Sequence, residues 1–365
     1  MPPSSLALPR WSVGVPVVAA AVLLATWGRD LPVLALVLLA AALVAAVLAA
    51  VHHAEVVAHR VGEPFGTLIL AAAVTVIEVA LIVSLMVSGG DATASLARDT
   101  VFAAVMVVCN GVIGVCLLVG ALKHGVIEFQ LSGTGGALAT LATLATLSLV
   151  LPTFTTSSAG PTFSGSQLAF AGVSSLALYG VFVFVQTIRH RDYFLPVETD
   201  STASAAELHA APPSTRTALA SLGLLVVCLV AVVGMAKTAS PWLEDGVEAI
   251  GAPQSLVGVV IAIVVLLPET AAAVRAAARN RLQTSLNLAL GSALASIGLT
   301  IPTIAVASIW LDGPLQLGLE GKEMTLLALT VTVGVLTLGT GRATVLQGAV
   351  HLSIFSAFLF LAVVP

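Results

Sequence analysis

Charge is scarce in this chain. Lys, Arg, Asp and Glu make up 9% of its 365 residues against 58% hydrophobic ones, and the mean hydropathy is +1.09. A soluble domain carries about a quarter charged residues, so a water-soluble globular protein is excluded and a polytopic membrane protein is expected. Aromatic residues are few as well, at 5%. Any interfacial belt is therefore thin, although Trp11, Trp27, Trp242 and Trp310 fall near the expected membrane edges. The three cysteines, Cys109, Cys116 and Cys228, all lie in apolar runs. An odd, buried set excludes a disulfide framework and leaves them as small core residues. Nucleotide chemistry also lacks its parts. GTGGA at Gly133–Ala137 and GTGR at Gly339–Arg342 are glycine-rich, but neither follows a strand or carries a P-loop lysine. No Ser–His or Asp–Asp nucleophile pattern appears, and no His or Cys cluster at mid-membrane suits Zn2+ or Cu+.

What is present is a series of long apolar runs. Segments of about 17–25 apolar residues predict eleven spans, near 12–28, 31–51, 65–88, 99–121, 136–152, 167–188, 218–237, 254–274, 284–310, 324–341 and 344–364. The first resembles a secretory leader, because Arg10 precedes an apolar stretch. No small-residue cleavage site precedes Arg29 and Asp30, so a retained helix is expected. The edges around 136–152 and 310–324 are bordered by Gly, Pro, Ser and Thr.

Basic residues set the expected orientation. With the N-terminus inside, the inner segments hold Arg10, Arg60, Lys123, Arg189, Arg191, Arg216, Arg275, Arg279, Arg281 and Arg342. The outer segments hold only Arg29, Arg98, Lys237 and Lys322. That bias predicts a cytoplasmic N-terminus and an external C-terminus. One hydrophilic stretch, 189–217, is rich in Pro, Ser and Ala and reads as a flexible cytoplasmic linker. It divides the chain into an extra helix at 1–30, a five-span unit at 31–188 and another at 218–365. An odd number of spans per unit turns the second unit upside down relative to the first. The expected fold is thus all-α, with eleven transmembrane helices, one N-terminal and ten in two inverted five-helix repeats.

Two glutamates occupy matched places in those units. Glu78 lies within TLILAAAVTVIEVALIVSLMV and Glu269 within SLVGVVIAIVVLLPETAAA, each in the second helix of its unit. A carboxylate at mid-bilayer costs about 2.5–3.5 kcal/mol on the lenient insertion scale, so the pair is expected to bind ions. One divalent cation or two protons would neutralise it. An empty, doubly charged site would cost about 5–7 kcal/mol, twice the single-carboxylate figure, and such a carrier exchanges ions and does not leak them. The ligands are hard oxygens, as Ca2+ prefers. After each glutamate comes a small-residue stretch, CNGVIGVCLLVG at Cys109–Gly120 and GSALASIGLTIP at Gly291–Pro302, which sets Asn110 opposite Ser292. These two are candidate accessory oxygen ligands. Pro268 removes a backbone donor beside Glu269 and opens a carbonyl there.

Three stretches carry a family likeness: HAEVVAHRVGEPFGTLILAAAVTVIEVALI from His53, PETAAAVRAAARNRLQTSLNLALGSALASIGLTIP at Pro268–Pro302, and GRATVLQGAVHL at Gly341–Leu352. Through them the chain resembles the H+/Ca2+ exchanger branch of the calcium/cation antiporter superfamily, and within it the bacterial ChaA-like antiporters. The resemblance implies alternating access, with Glu78 and Glu269 as shared cation and proton ligands, and it adds Glu55 as a candidate acidic residue. It also shows departures. Where that branch has Gly-Asn ahead of each glutamate, this chain has Val74–Thr75 and Val265–Leu266. The missing amide oxygens leave Thr75 as a weaker candidate accessory ligand on one side only, weaken Ca2+ selectivity and leave Na+ or K+ exchange open. The likeness to bacterial antiporters also implies a bacterial inner membrane.

The remaining polar residues have plainer readings. His52, His53, Glu55, His59 and Arg60 form an interfacial cluster expected to be solvated, with a pH-sensing alternative. Glu63, ahead of Pro64, begins the helix that leads to Glu78; a helix-start carboxylate is favoured whatever its function, and it stays a candidate accessory ligand. Glu320 and Glu323 flank Lys322 and are expected to be solvated. His351 reads as a satisfied packing histidine, and Arg275, Arg279 and Arg281 as a basic edge facing anionic lipid.

The expected activity is secondary active antiport, Ca2+ out for H+ in, with Na+(K+)/H+ exchange as the alternative and a cation channel behind both. A pore needs polar residues along a continuous path, and here they gather at one depth. No enzymatic activity, resident cofactor or nucleic-acid partner is expected. The partners are the lipid bilayer and the transported cations and protons.

Overall fold

The structure, a computed structural model, describes residues 8–29, 31–62, 65–89, 94–195, 213–310 and 315–364. Eleven helices follow one another: α1 (Arg10–Thr26), α2 (Val33–Val61), α3 (Phe65–Gly89), α4 (Leu96–His124), α5 (Leu131–Phe154), α6 (Gly165–Arg189), α7 (Thr215–Ala249), α8 (Ser255–Ala278), α9 (Leu282–Ala307), α10 (Gly321–Leu338) and α11 (Val345–Val363). Among the described residues nine are long and apolar enough to cross a membrane, and α1 and the Ala72–Val87 part of α3 are shorter apolar helices. The fold is therefore all-α and polytopic, because a chain in hydrocarbon must satisfy its backbone within each segment.

Helix ends differ from the apolar runs for local reasons. The run at α2 predicts an end near 51, yet the helix continues through the polar cluster to Val61. Nothing there breaks it until Gly62, whose φ of +78° closes the turn. The α7 run predicts an end near 237, but the helix passes through Pro241 to Ala249. Between α8 and α9, Asn280 takes φ +59°, a left-handed conformation that Asn tolerates well.

The chain forms two compact units, one of Met1–Leu81 with Glu198–Trp242, the other of Ile82–Val197 with Leu243–Pro365. In the first, α1 packs on α2. His53 is fully buried and its Nε2 lies 2.7 Å from the Ser12 carbonyl, while the His52 ring sits 4.9 Å from that of Trp11. His53 is thus not solvated, and it fastens the first helix to the second.

In the second unit α4 is central, with 89% of its apolar window buried against 28% for α11. Two glycines set its neighbours close. A Cβ at Gly258 on α8 would lie 2.9 Å from the Thr100 nitrogen, and one at Gly348 on α11 would lie 2.6 Å from the Leu118 nitrogen. Small residues are what let helices approach in lipid, where no hydrophobic effect drives them together. The α4–α5 and α10–α11 connections pair as a short antiparallel ladder, β1 (Ile127–Glu128) on β2 (Arg342–Ala343). On α5, the wide turn Thr146–Val150 frees the Leu149 carbonyl, which accepts from the Leu319 N–H at 2.7 Å.

Candidate functional site

Glu78 sits in the middle of α3, in the first unit, and is 2% exposed. Thr75, three residues earlier, is buried on the same helical face. A hydroxyl and a carboxylate therefore share one buried face of a mostly apolar helix. Glu269 belongs to the second unit, on α8, where it is half-buried directly after the buried Pro268. The proline lacks the N–H that Val264 would otherwise receive. Directly after Glu269, the Thr270 hydroxyl donates to the Leu266 carbonyl at 2.7 Å. The backbone beside Glu269 is thus less tightly self-bonded than a regular helix, without the helix being broken.

Asn110 lies at the heart of the second unit. The six residues Val107–Val112 form a π-helical turn inside α4, and all are buried. Such a turn widens the helix and turns side chains off the regular face, a device often found at functional places. The Asn110 amide nitrogen donates to Thr330 Oγ1 of α10 at 2.8 Å, and its carbonyl oxygen lies 3.3 Å from His351 Nδ1 of α11. His351 Nε2 in turn lies 3.2 Å from Thr337 Oγ1. Helix α8, which carries Glu269, packs against this same turn.

Ser292 is half-buried on α9. Four and eight residues further on, Ser296 and Thr300 are buried on the same face. Thr300 Oγ1 has no hydrogen-bond partner among the described residues. The spacing 292, 296, 300 was visible as a stripe of hydroxyls at helical period. Glu55 is exposed on α2, and Glu63 lies outside the described residues.

A feature without a counterpart among the expected site residues stands at the start of α4. Asp99 is 8% exposed, receives Arg98 Nε at 2.7 Å and Ser95 Oγ at 2.9 Å, and Arg98 also donates to the Gly318 carbonyl. It borders a small cleft of about 30 Å³ that Ser255, Lys322, Glu323 and Phe358 also line, and another of about 20 Å³ shared with Glu244 and Gln254. Each has room for about one water molecule. The Glu323 side chain is 19% exposed, 3.4 Å from Lys322 Nζ, and so is less solvated than its helix-start position predicts. The signal for Asp99 was an acidic residue in the first turn of the most buried helix, a place where the dipole alone also favours it.

The sequence profile of the family described as sodium/calcium exchanger protein matches residues 31–188 and 220–364. The Sinorhizobium fredii protein y4hA, an inferred ionic transporter, is 52% identical over 361 residues, 98% of this chain and 97% of that one. The sodium-potassium/proton antiporter ChaA of Escherichia coli is 34% identical over 346 residues, 94% of this chain and 93% of its own. Among solved structures, native YfkE matches with a TM-score of 0.72 over 97% of this chain and 99% of that one, at 16% identity. The H+/Ca2+ exchanger CAX matches with a TM-score of 0.66 over 96% and 89%, at 14% identity. At those identities the likeness concerns the fold alone.

Proposed function

The chain belongs to the sodium/calcium exchanger family, and from that membership we propose a secondary active antiporter that exports Ca2+ in exchange for H+. The observation that carries this reading is Glu78, a carboxylate 2% exposed at the middle of an apolar helix with Thr75 on the same face. A buried charge of that kind is costly and marks an ion pathway. Glu269, in the corresponding helix of the other half, supplies the second carboxylate. Together they carry two negative charges, which one Ca2+ or two protons neutralise. The doubly ionised pair is penalised in a dry site, so the carrier moves only when loaded with one or the other. Thr75, Asn110, Ser292, Glu55 and Glu63 are the accessory oxygen candidates.

In this reading two five-helix repeats lie inverted in a bacterial inner membrane, joined by a cytoplasmic linker at 189–217, with α1 as an addition. The N-terminus is inside and the C-terminus outside.

A second reading is Na+(K+)/H+ exchange on the same two carboxylates, with one of them keeping its proton. Two observations favour it: the amide residues of the resembling branch are replaced by Val74–Thr75 and Val265–Leu266, and the Escherichia coli relative is named for sodium, potassium and protons. A cation panel of Ca2+, Mg2+, Na+ and K+ in everted vesicles with a pH dye tests both. Dye recovery on adding Ca2+ supports the first reading, recovery on Na+ or K+ alone the second, and none with any cation overturns antiport.

A further inference from the structure

The hydrogen bonds around Asn110 are ordered by elimination. The Thr330 hydroxyl has two acceptors for its single proton, the Leu326 carbonyl at 2.7 Å and Met106 Sδ at 3.5 Å, and with the proton on either one it accepts from Asn110. The group facing it at 2.8 Å must therefore be the amide NH2. That leaves the Asn110 carbonyl oxygen turned to His351 Nδ1, which must carry the ring proton of a neutral imidazole. Nε2 is then the acceptor for the Thr337 hydroxyl. The ring also hydrogen-bonds the Cys109 carbonyl on the same turn of α4, so His351 is fastened to that turn through backbone and carboxamide together, and in this arrangement each member has a partner of the right kind.

That orientation has a direction. Every hydrogen bond of the Asn110 amide among the described residues runs to α10, α11 or Met106 of its own helix, and none to α8, which carries Glu269. Asn110, His351, Thr330 and Thr337 are all at most 3% exposed. The crossing of α4 and α11 is also stiff. A Cβ at Gly114 would meet His351 Cβ at 3.1 Å, and Gly348 lies against the Leu118 backbone. The Cα–Cβ stem of His351 is therefore held beside α4, with its ring within reach of Asn110.

We propose that His351 is a specificity-determining residue: it holds the Asn110 carboxamide oxygen against α11, withholds it from the transported cation, and so lowers the preference for Ca2+ over Na+. The inference rests on the antiport reading and deepens it. Ca2+ takes six to eight oxygens, so a neutral oxygen withheld weakens its binding, and a monovalent ion with less charge to compensate loses less. The absent amides at 75 and 266 make the point sharper, since Asn110 is then the remaining carboxamide among the candidate ligands.

The test uses the full-length protein in liposomes with a trapped pH dye, reading apparent KM and Vmax for Ca2+ and for Na+. His351→Leu, of similar bulk without a donor, should lower the Ca2+ KM about 2- to 10-fold, the ratio that corresponds to one net hydrogen bond, with little change for Na+. His351→Gln, whose amide can donate to the same oxygen, should stay near the parent. The gain should vanish in the double variant Asn110→Ala/His351→Leu, a result that general loosening of the helices does not produce. Ser353→Ala, exposed on α11 and bonded only to its own helix, is the control. An unchanged Ca2+-to-Na+ preference in His351→Leu, an equal loss for both ions, or a gain that survives removal of Asn110 overturns the proposal. If His351→Leu does not give a monodisperse protein, Thr330→Val frees the other end of the same amide and must shift the preference the same way, an unchanged ratio being fatal. A parent that moves no cation against protons refutes antiport itself, a result distinct from an unchanged ratio.

Discussion

Gly348 on α11 lies flat against the backbone of Leu118 on α4, so close that a Cβ there would come within 2.6 Å of the Leu118 nitrogen and 2.9 Å of its Cα. The obstacle is main chain on a packed helix, which cannot turn aside as a side-chain tip can. Gly348→Val should therefore force α4 and α11 apart and destabilise the protein by about 1–3 kcal/mol, the usual cost of overpacking. A lower melting temperature in detergent, set beside an unchanged one for Ser353→Ala, is the measurement. An unaltered melting temperature in Gly348→Val would mean that the two helices do not cross where the structure puts them.

Glu78→Gln and Glu269→Gln should each abolish Ca2+-driven proton movement while leaving the protein monodisperse in detergent. Each removes half of the charge that balances a divalent ion, and neutralising a buried carboxylate spares the desolvation cost, so folding should not suffer. Everted vesicles with a pH dye and size-exclusion profiles check the two halves of this statement. Near-normal exchange by either variant alone would rule out a shared two-carboxylate site.

The Thr75→Asn variant tests the ligand count from the other side. Thr75 shares the buried face of Glu78, and a carboxamide there offers a stronger neutral oxygen than a hydroxyl. Ca2+ transport should rise relative to Na+ transport, and Na+ or K+ exchange by the parent should be greatest at alkaline pH, where the second carboxylate ionises. Strict Ca2+ selectivity of the parent from neutral to alkaline pH would show that other oxygens already complete the site.

Orientation is open to labelling. In a background lacking Cys109, Cys116 and Cys228, a cysteine at Ala205, which lies outside the described residues, should react with an impermeant maleimide only after the cells are opened. A cysteine at Val364 should react in intact cells. The opposite pattern would reverse the orientation that the basic residues indicate.

Much of the architecture could be read from residue order alone. Runs of about 17–25 apolar residues can only be helices in a bilayer, because no other open structure satisfies its own backbone there. All eleven helices followed from that, with errors confined to ends such as Val61 and Ala249, where a polar segment keeps the helical path until a glycine or a turn stops it. Glu78 and Glu269 stood out for the same energetic reason, since an acidic residue is costly where its neighbours are all apolar. Partners were a different matter. Lipid is as apolar as the interior of the bundle, so hydropathy does not tell a face that meets another helix from one that meets lipid. His53 reads as a solvated end of α2 until the Ser12 carbonyl is found 2.7 Å away. Asp99 draws no reading from the sequence, and only the fold shows Arg98 and Ser95 closing around it. Nothing local in sequence joins Asn110 to His351, 241 residues apart. That contact exists because a π-turn widens α4 at Asn110 and because glycines at 114 and 348 let α11 come close enough for an imidazole to reach it. Composition and spacing determined that the helices exist and that two of them carry an acid in an apolar run. Close packing alone decided which way the polar side chains between them turn.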